Sequence, residues 1–330
     1  MAIYKRNTNV QSDMTTGFGT SSENSAGRFY NRRTGRANVV RKGVSILDRY
    51  SWYHTMLALP RLKFLVLIFS IYIFVNLIFA GIYYLIGINH LAGVHQGTPL
   101  KNFSEVFFFS TQTFTTVGYG RISPTGILTS AVATLEAFLG LLSFAIATGL
   151  FYGRFSRPQA FLKFSHNILI SPYKDDIALM FRMSPYKNNI LSEAEVKLTA
   201  AVQIEENGKR MNRFYPLDLE ISKVNALPLS WTVVHPINER SPLVNLNQDD
   251  IKRMNFEILV FVKAFDEVFS NTVMTRTSYT ADEIVWGARF RIMYYPNEDK
   301  TKTILDLDLL NEYDKIDLLQ PIVSTQPVSG

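Results

Sequence analysis

Residues 115–120, TTVGYG, place a glycine on each side of a tyrosine. Glycine weakens helices and strands, so Gly118 and Gly120 indicate a backbone that needs conformations denied to other residues. Such a backbone can turn successive carbonyl oxygens to one side, where they would coordinate a bare cation. The oxygens concerned are the carbonyls of Thr116, Val117, Gly118 and Tyr119 and the hydroxyl of Thr116.

In one chain these oxygens would be unfavourably close, but four chains around an axis would form oxygen rings that replace the water shell of K⁺. The string TVGYG, residues 116–120, is the known motif of potassium selectivity filters, so this assignment matches an established pattern. A glycine-rich external loop is the alternative interpretation. It would leave the apolar segment before the motif unexplained.

That segment, FSEVFFFSTQTF, is long enough for about three helical turns. We predict a pore helix at 103–115, with Asn102 or Ser104 as N-cap and Glu105 in the first turn. Such a helix is too short to cross a membrane, and the chain then returns through 116–120. Irregular backbone at membrane depth is tolerated where it lines an aqueous cavity or is buried in protein. The partial negative charge at the helix C-terminus favours a cation there.

Two long apolar runs flank this half-helix. Residues 64–88 carry no charge, and a helix of that length rises roughly 37 Å, enough to cross a bilayer. The second run, 127–152, carries a single acid. We predict membrane spans at 61–88 and 125–153 in a pore domain of two spans. Buried helices of a large soluble protein fit less well, because they are usually shorter and have a polar stripe.

The distribution of charge sets the orientation of the spans. Residues 1–63 contain eleven Lys and Arg against three acids, a net charge of 11 − 3 = +8, whereas 89–126 contain two cations and one acid. The positive-inside rule therefore places both termini in the cytoplasm of a cell, with the bacterial inner membrane as the expected location. Anionic lipid is the expected partner of the basic N-terminus, in preference to nucleic acid. The chain has no cysteine, which excludes disulfides and thiol catalysis.

Residues 1–44 are polar and basic and predict a flexible tail. Residues 45–60 predict an amphipathic helix in the membrane interface, with Ser45 and Asp48 spaced as in a capping box. Its apolar residues recur at helical spacing: Ile46, Tyr50, Tyr53 and Leu57. A helix packed on a soluble domain is the alternative.

From residue 158 the pattern changes to the period-two alternation of strands. The alternating apolar residues are Ile177, Leu179, Phe181 and Met183, and then Val196, Leu198, Ala200, Val202 and Ile204. Turn sequences such as ENGK and YPNE separate many short strands. We predict a β-sandwich domain at 158–330, in the cytoplasm.

Together these features resemble the inward rectifier potassium channel family, and its prokaryotic branch in particular. The resemblance covers roughly residues 40–310 and rests on TVGYG between two spans, RFSRP, LSWTVVHPINERSPL and SYTADEIVWG. It implies a homotetramer with a slide helix at 45–58, a pore lined by the second span and an immunoglobulin-like cytoplasmic assembly. It also implies modulation by phosphoinositide or another anionic lipid, and block by Ba²⁺, Mg²⁺ or polyamine.

The second span has a face suited to a gate. Gly140, Phe144, Thr148 and Tyr152 lie four residues apart and share one side of the helix. Phe144 and Tyr152 from four chains would close an apolar constriction that stops ions by dewetting, with Tyr152 at the tightest point. The alternative is that these aromatic rings only pack between helices. Gly140 is equally compatible with a hinge and with close helix packing.

Comparison with the family gives further expectations. Residues 269–275 match its cytoplasmic constriction loop, so Val273 and Met274 are expected to form a second gate. Strong rectifiers carry an acid at the position of Phe144, and we therefore expect weak rectification.

Two polar residues near the predicted filter, Glu136 and Gln112, give expectations about its contacts. Glu136, on the second span, is expected to bond the pore loop or to face water. Gln112 replaces the pore-helix glutamate that pairs with an arginine in many relatives, so that ion pair is expected to be absent. The sequence leaves open what holds this part of the loop instead.

Five basic residues cluster at the expected inner surface of the membrane: Arg61, Lys63, Arg154, Arg157 and Lys163. They predict a site for lipid phosphate that couples the second span to the cytoplasmic domain. Interfacial anchoring by snorkelling is the alternative.

The five histidines have no metal-ligand spacing, and no phosphate-binding glycine loop or nucleophile motif occurs, so neither an enzyme nor a cofactor is expected. The prediction is a tetrameric channel that conducts K⁺ passively. A subunit of a potassium uptake system is a second candidate, although those carry several pore repeats per chain. A membrane-anchored immunoglobulin-like binding protein is the third.

Overall fold

A computed structural model of the chain describes residues 16–18, 27–32, 34–45, 51–187, 189–206 and 209–318. It divides into a helical unit, residues 41–157, and a β-rich unit that joins residues up to 40 with those from 158 onward.

Four α-helices are described in the helical unit: α1 (Trp52–Ala58), α2 (Arg61–Ile86), α3 (Pro99–Phe114) and α4 (Ile127–Phe155). By length and composition, α2 with 26 residues and α4 with 29 could each cross a membrane. They coincide closely with the two predicted spans. Between them, the short strands β1 (Leu91–Ala92) and β2 (Ser123–Pro124) pair antiparallel and join the two ends of the segment that contains α3.

The predicted interfacial helix is described in part. Helix α1 begins at Trp52 and ends at Ala58, while residues 46–50, which hold much of the predicted apolar stripe, lie outside the described residues. Leu57 is buried, and the rings of Trp52 and Tyr53 are exposed. Apolar rings on a short helix directly before a span are typical of a helix at a membrane surface.

The described part of the β-rich unit contains fourteen strands, one short α-helix, α5 (Gln248–Arg253), and two 3-10 turns, Ala281–Glu283 and Leu307–Asn311. The strands are β3 (Leu162–Phe164), β4 (Ile168–Tyr173), β5 (Asp176–Pro185), β6 (Leu191–Glu206), β7 (Lys209–Leu217), β8 (Lys223–Ala226), β9 (Trp231–Pro236), β10 (Glu257–Asp266), β11 (Asn271–Thr280), β12 (Ile284–Trp286), β13 (Ala288–Phe290), β14 (Tyr294–Pro296), β15 (Thr303–Leu305) and β16 (Tyr313–Lys315).

Two five-stranded sheets form the body of this unit. One has the order β11-β10-β6-β7, with β8 also paired to β6, and the other the order β12-β4-β5-β3, with β9 also paired to β5. All these pairs are antiparallel except β12 with β4. Two further ribbons, β13-β16 and β14-β15, complete the described strands.

The predicted alternation places apolar side chains in a shared core. On β5, Leu179, Phe181 and Met183 are at most 1% exposed, and the alternate residues of β6 from Val196 to Val202 are buried as well. Because successive residues of a strand point to opposite faces, one alternating set from each sheet can fill the space between the sheets.

Part of the predicted flexible tail is held against the β-rich unit. Arg28 and Arg32 both form ion pairs with Glu283, at 2.9 and 2.5 Å, and the Phe29 amide donates to the Glu257 carboxylate at 3.1 Å. Gly35 has φ 63° and approaches Arg276 so closely that a Cβ would lie 2.6 Å from its carbonyl oxygen. Composition alone predicts flexibility here because it does not register these specific partners.

A matched pair of isoleucines tests the core. Ile170 is 1% exposed on β4, whereas Ile221 is 54% exposed. We expect Ile170→Ala to lower the free energy of unfolding by about 2–5 kcal/mol, because it leaves a cavity, and Ile221→Ala to change it by about 0.5 kcal/mol or less. The measurement is urea unfolding of the purified protein followed by tryptophan fluorescence, since Trp231 lies in this core. Equal losses for both variants would contradict the assigned core.

Candidate functional site

Helix α3 begins earlier than predicted. Its N-cap is Thr98, whose hydroxyl accepts the Lys101 amide at 3.4 Å, and Pro99 occupies the first helical position. Asn102 instead accepts the Gly97 amide, and the Ser104 hydroxyl donates to a carbonyl of its own helix, so neither predicted N-cap is correct. Proline is favoured at the first helical position, because the N–H that it lacks would have no acceptor within the helix there. The 16 residues of α3 rise about 24 Å, less than the thickness of a bilayer core.

The segment after α3 forms neither helix nor strand and has an alternating backbone. Thr116, Gly118 and Gly120 have φ values of 58°, 55° and 83°, while Val117 and Tyr119 between them keep negative φ. Alternation of left- and right-handed conformations turns successive N–H groups to one side of the chain and the carbonyl oxygens to the other. The glycines indicated this geometry in the sequence, whereas the left-handed conformation of Thr116 was not predicted.

The amides of this segment are anchored in the end of α3. The Thr116 amide donates to the Thr113 carbonyl at 3.0 Å. The amides of Val117 and Gly118 both donate to the Gln112 carbonyl, at 3.0 and 3.4 Å. Within the described part of the chain, the carbonyls of 116–119 accept no hydrogen bond, and all four residues are exposed in the single chain. These oxygens are therefore available for a ligand that accepts electron pairs, which a cation does.

An ion pair holds the residue that follows the segment. Arg121 lies 2.5 Å from the carboxylate of Glu105, and its guanidinium also donates to the Gly93 carbonyl at 3.5 Å. Glu105 lies in the middle of α3 rather than in its first turn. The sequence left open which group holds this part of the loop. The structure shows that Arg121 is held by Glu105 of α3.

Glu136 was expected to bond the pore loop or to face water, and the structure shows it bonded to α3, the helix of the predicted loop. It is fully buried on α4 and contacts Ser110 of α3 and Tyr83 of α2. One carboxyl group thus joins the three long helices of this unit.

Gly140 packs directly against the end of α3. A Cβ at this position would lie 1.9 Å from the Phe114 carbonyl oxygen. The close approach favours the packing interpretation of Gly140, and its role as a hinge stays a prediction.

The two aromatic residues of the predicted gate are uncovered in the single chain. Phe144 is 72% exposed and Tyr152 is 74% exposed, both on α4. Phe144 also lines a cavity of about 680 Å³, together with Thr116 and Gly140. The structure therefore places the first residue of the predicted filter and one residue of the predicted gate at the same cavity.

The five predicted lipid-binding residues have different surroundings. Arg61, Lys63 and Arg157 are exposed. Arg154 is engaged within the helical unit, where it donates to the Leu59 carbonyl at 2.6 Å and lies 5.1 Å from the centre of the Phe64 ring. Lys163 belongs to the β-rich unit, with its ammonium 5.7 Å from the centre of the Tyr186 ring.

The two residues of the predicted cytoplasmic gate also differ in their surroundings. The segment 269–275 is a turn followed by the start of β11, rather than a loop throughout. Val273 is 4% exposed and belongs to the sandwich core, whereas Met274 is 54% exposed. Val273 cannot line an ion path in this conformation, because its side chain is enclosed in the core. Met274 is exposed because adjacent residues of a strand face opposite sides.

His235 has a structural role in the β-rich unit, because both of its ring nitrogens have hydrogen-bond partners. His235 is buried, with Nδ1 2.5 Å from the Asp218 carbonyl and Nε2 2.8 Å from the Ser241 hydroxyl. Burial lowers the pKa of His235, because the charged imidazolium loses its hydration.

Comparison with known proteins identifies two family models along the chain. Residues 162–328 match the inward rectifier potassium channel C-terminal domain, and residues 71–157 match a family described as ion channel. The two matches correspond to the β-rich unit and to most of the helical unit.

Similar whole proteins are also channels by name. The chain is 34% identical over 283 residues to inward rectifier potassium channel Kirbac3.1 of Paramagnetospirillum magnetotacticum, covering 84% of this chain and 93% of that one. It is 30% identical to G protein-activated inward rectifier potassium channel 4 of Mus musculus, covering 79% and 67% of the two chains. Against inward rectifier potassium channel irk-1 of Caenorhabditis elegans, identity is 27% and coverage 84% and 55%.

Two glycines of α4 provide a matched test of the packing at Phe114. We expect Gly140→Ala to destabilise the protein by about 1–3 kcal/mol, because the added methyl overlaps the Phe114 carbonyl and overpacks the contact. Gly149→Ala is the control, since a Cβ there meets no described atom within 4 Å beyond the adjacent residues and backbone of its own helix. The measurement is the thermal unfolding midpoint of the detergent-solubilised protein. The same midpoint for both variants would favour the hinge interpretation of Gly140.

Proposed function

The chain belongs to the inward rectifier potassium channel family, and from this premise we propose that four copies assemble around an axis and conduct K⁺ passively. The observation that carries the proposal is the backbone of 116–120. Its φ alternates in sign, its first three amides are bonded to α3, and the carbonyls of 116–119 accept no hydrogen bond from any described residue. Four such segments would supply the rings of oxygens that replace the water around K⁺.

Exposed apolar surface supports assembly into a tetramer. Val117 is 52% exposed and Tyr119 78% exposed in the single chain, beside carbonyls that a lipid tail cannot satisfy. Packing against copies of the same segment would remove the side chains of Val117 and Tyr119 from water or lipid. The filter therefore becomes complete only when several chains contribute to it.

The membrane arrangement follows from the charge distribution. We place the chain in the cell membrane, a bacterial inner membrane, with α2 and α4 as the spans and both termini in the cytoplasm. Eleven cations precede residue 64, whereas the connector between the helices has two. Positive segments remain on the cytoplasmic side during insertion.

Gating is assigned to α4 and to β11. Exposed rings at Phe144 and Tyr152 are suited to an apolar constriction formed by four chains, with Tyr152 as the narrowest point. In the β-rich unit we assign the constriction to Met274 alone, because Val273 is buried. Phe144 offers no charge to hold Mg²⁺ or a polyamine, so rectification by these blockers is proposed to be weak.

Anionic lipid is proposed as a modulator that binds Arg61, Lys63 and Arg157. These side chains are exposed at the ends of α2 and α4. Arg154 is assigned to a structural role, because its guanidinium already binds the Leu59 carbonyl. Lys163, an exposed residue of the β-rich unit, stays a prediction as a lipid contact.

Ion flux tests the central proposal. Purified protein in liposomes is expected to take up Rb⁺, to be blocked by Ba²⁺ and to exclude Na⁺. Gly118→Ala is expected to abolish uptake, because an alanine is strained at φ 55°. Gly149→Ala should keep it, since its Cβ has open space. The proposal would be contradicted if the wild type took up Na⁺ and Rb⁺ equally, or if the folded protein were monomeric.

Neutralisation of one exposed arginine tests lipid modulation. Arg157→Gln is expected to raise the phosphoinositide fraction that gives a half-maximal effect on Rb⁺ flux about fivefold, since each basic residue near an anionic surface contributes about 1 kcal/mol. Lys300→Gln, which removes an exposed charge on the β-rich unit, is the control. An unchanged dose response in Arg157→Gln would remove this residue from the site.

A further inference from the structure

Glu136 is the only acid of α4, and it is completely enclosed. The Ser110 hydroxyl lies 2.5 Å from its Oε1, and the Tyr83 hydroxyl lies 2.7 Å from its Oε2. None of the ion pairs formed by the described residues includes Glu136. A carboxylate buried without a cation is costly, and two neutral hydroxyls compensate it poorly.

The orientation of Asn76 shows which atoms of this cluster carry hydrogen. Its side chain lies 2.7 Å from the Tyr72 carbonyl oxygen, so the group facing Tyr72 must be the amide nitrogen, which donates. The amide oxygen of Asn76 therefore faces the Ser110 hydroxyl, at 3.1 Å. The main-chain oxygen of Asn76 lies 3.2 Å from the same hydroxyl.

Ser110 thus stands among acceptors on both sides, and its hydroxyl has a single hydrogen. If Glu136 were ionised, Ser110 would have to donate to it, and the facing Asn76 oxygen would have no donor. If Glu136 carries a proton on Oε1, it donates to Ser110, Ser110 donates to Asn76, and Asn76 donates to Tyr72. The Tyr83 hydroxyl donates to the other carboxyl oxygen, so each hydroxyl hydrogen of the cluster has an acceptor and the Asn76 side-chain oxygen has a donor.

We propose that Glu136 is a neutral carboxylic acid that donates a hydrogen bond to Ser110 and thereby positions α3 behind the filter. The effect on the filter rests on the proposed function, whereas the donor chain stands on geometry alone.

The register of the two helices explains why this contact would matter for ion selection. Glu136 and Gly140 lie one turn apart on α4, and their partners Ser110 and Phe114 lie one turn apart on α3. α4 therefore holds the last turn of α3 at two points. The Gln112 carbonyl, which accepts the Val117 and Gly118 amides, lies between those two points.

Infrared difference spectroscopy of the reconstituted full-length protein tests the protonation. Wild type minus Glu136→Gln is expected to show the C=O stretch of a protonated carboxylic acid, and Ser110→Ala is expected to shift that band, because it removes the acceptor. Carboxylate bands in place of the acid band would overturn the proposal. If Glu136→Gln fails to fold, the Ser110→Ala shift decides the same question, and a spectrum without any shift overturns it.

Selectivity of flux tests the positioning role. Glu136→Gln should keep the wild-type Rb⁺ to Na⁺ uptake ratio, because an amide can donate to Ser110 and accept from Tyr83. Ser110→Ala is expected to lower the ratio about tenfold, the scale of losing a buried hydrogen-bond partner. Ser104→Ala is the control, since the Ser104 hydroxyl bonds only the Leu100 carbonyl of its own helix.

The outcomes separate the two proposals. An unchanged ratio in Ser110→Ala overturns the positioning role, even with a selective wild type. A wild type that conducts K⁺ and Na⁺ alike refutes the proposed function, and the acid band would still establish the neutral Glu136.

Discussion

The hydrogen bonds from the amides of residues 116–118 to the last carbonyls of α3 are the constraint on which the functional architecture depends. A backbone segment has one donor and one acceptor per residue, and buried groups of both kinds need partners. Because Gln112 and Thr113 take the donors, the acceptors of the segment are left for another ligand. The alternating sign of φ is expected to turn those acceptors away from the amides of the same segment. The same short stretch thus provides both its anchor and its site.

A helix as short as α3, which rises about 24 Å, cannot cross a bilayer core and depends on the helices beside it. These helices are α2 and α4, which contact α3 through a buried apolar cluster that includes Phe79, Phe109 and Ala133, and through a few buried polar and glycine residues. Glu136 and Gly140 on α4 lie against Ser110 and Phe114, and Tyr83 on α2 completes the contact. In a membrane, where apolar association between helices is weak, such polar and close-packed contacts carry much of the specificity.

The β-rich unit is stabilised differently, by apolar residues enclosed between two sheets. Its described N-terminal residues add charged contacts at the edge of that body, where Arg28 and Arg32 share Glu283. Burial of Glu257 beneath this segment raises the pKa of its carboxyl, an effect opposed by hydrogen bonds that include the Phe29 amide. The segment is therefore part of the folded unit rather than an appendage to it.

The sequence by itself determined the two long helices, the shorter helix between them, the irregular glycine-containing segment that follows it and the alternating strands, because length, apolar period and paired glycines are local properties. It misplaced the N-cap of α3, where Pro99 outweighed Asn102 and Ser104. Only the tertiary structure decided that Arg121 pairs with Glu105, that Gly140 meets Phe114, that Val273 is buried and that Ser110 lies between Glu136 and Asn76. Each of these depends on how one element is rotated and shifted against another. Such registers are set by packing among residues distant in sequence, and spacing along one chain does not encode them directly.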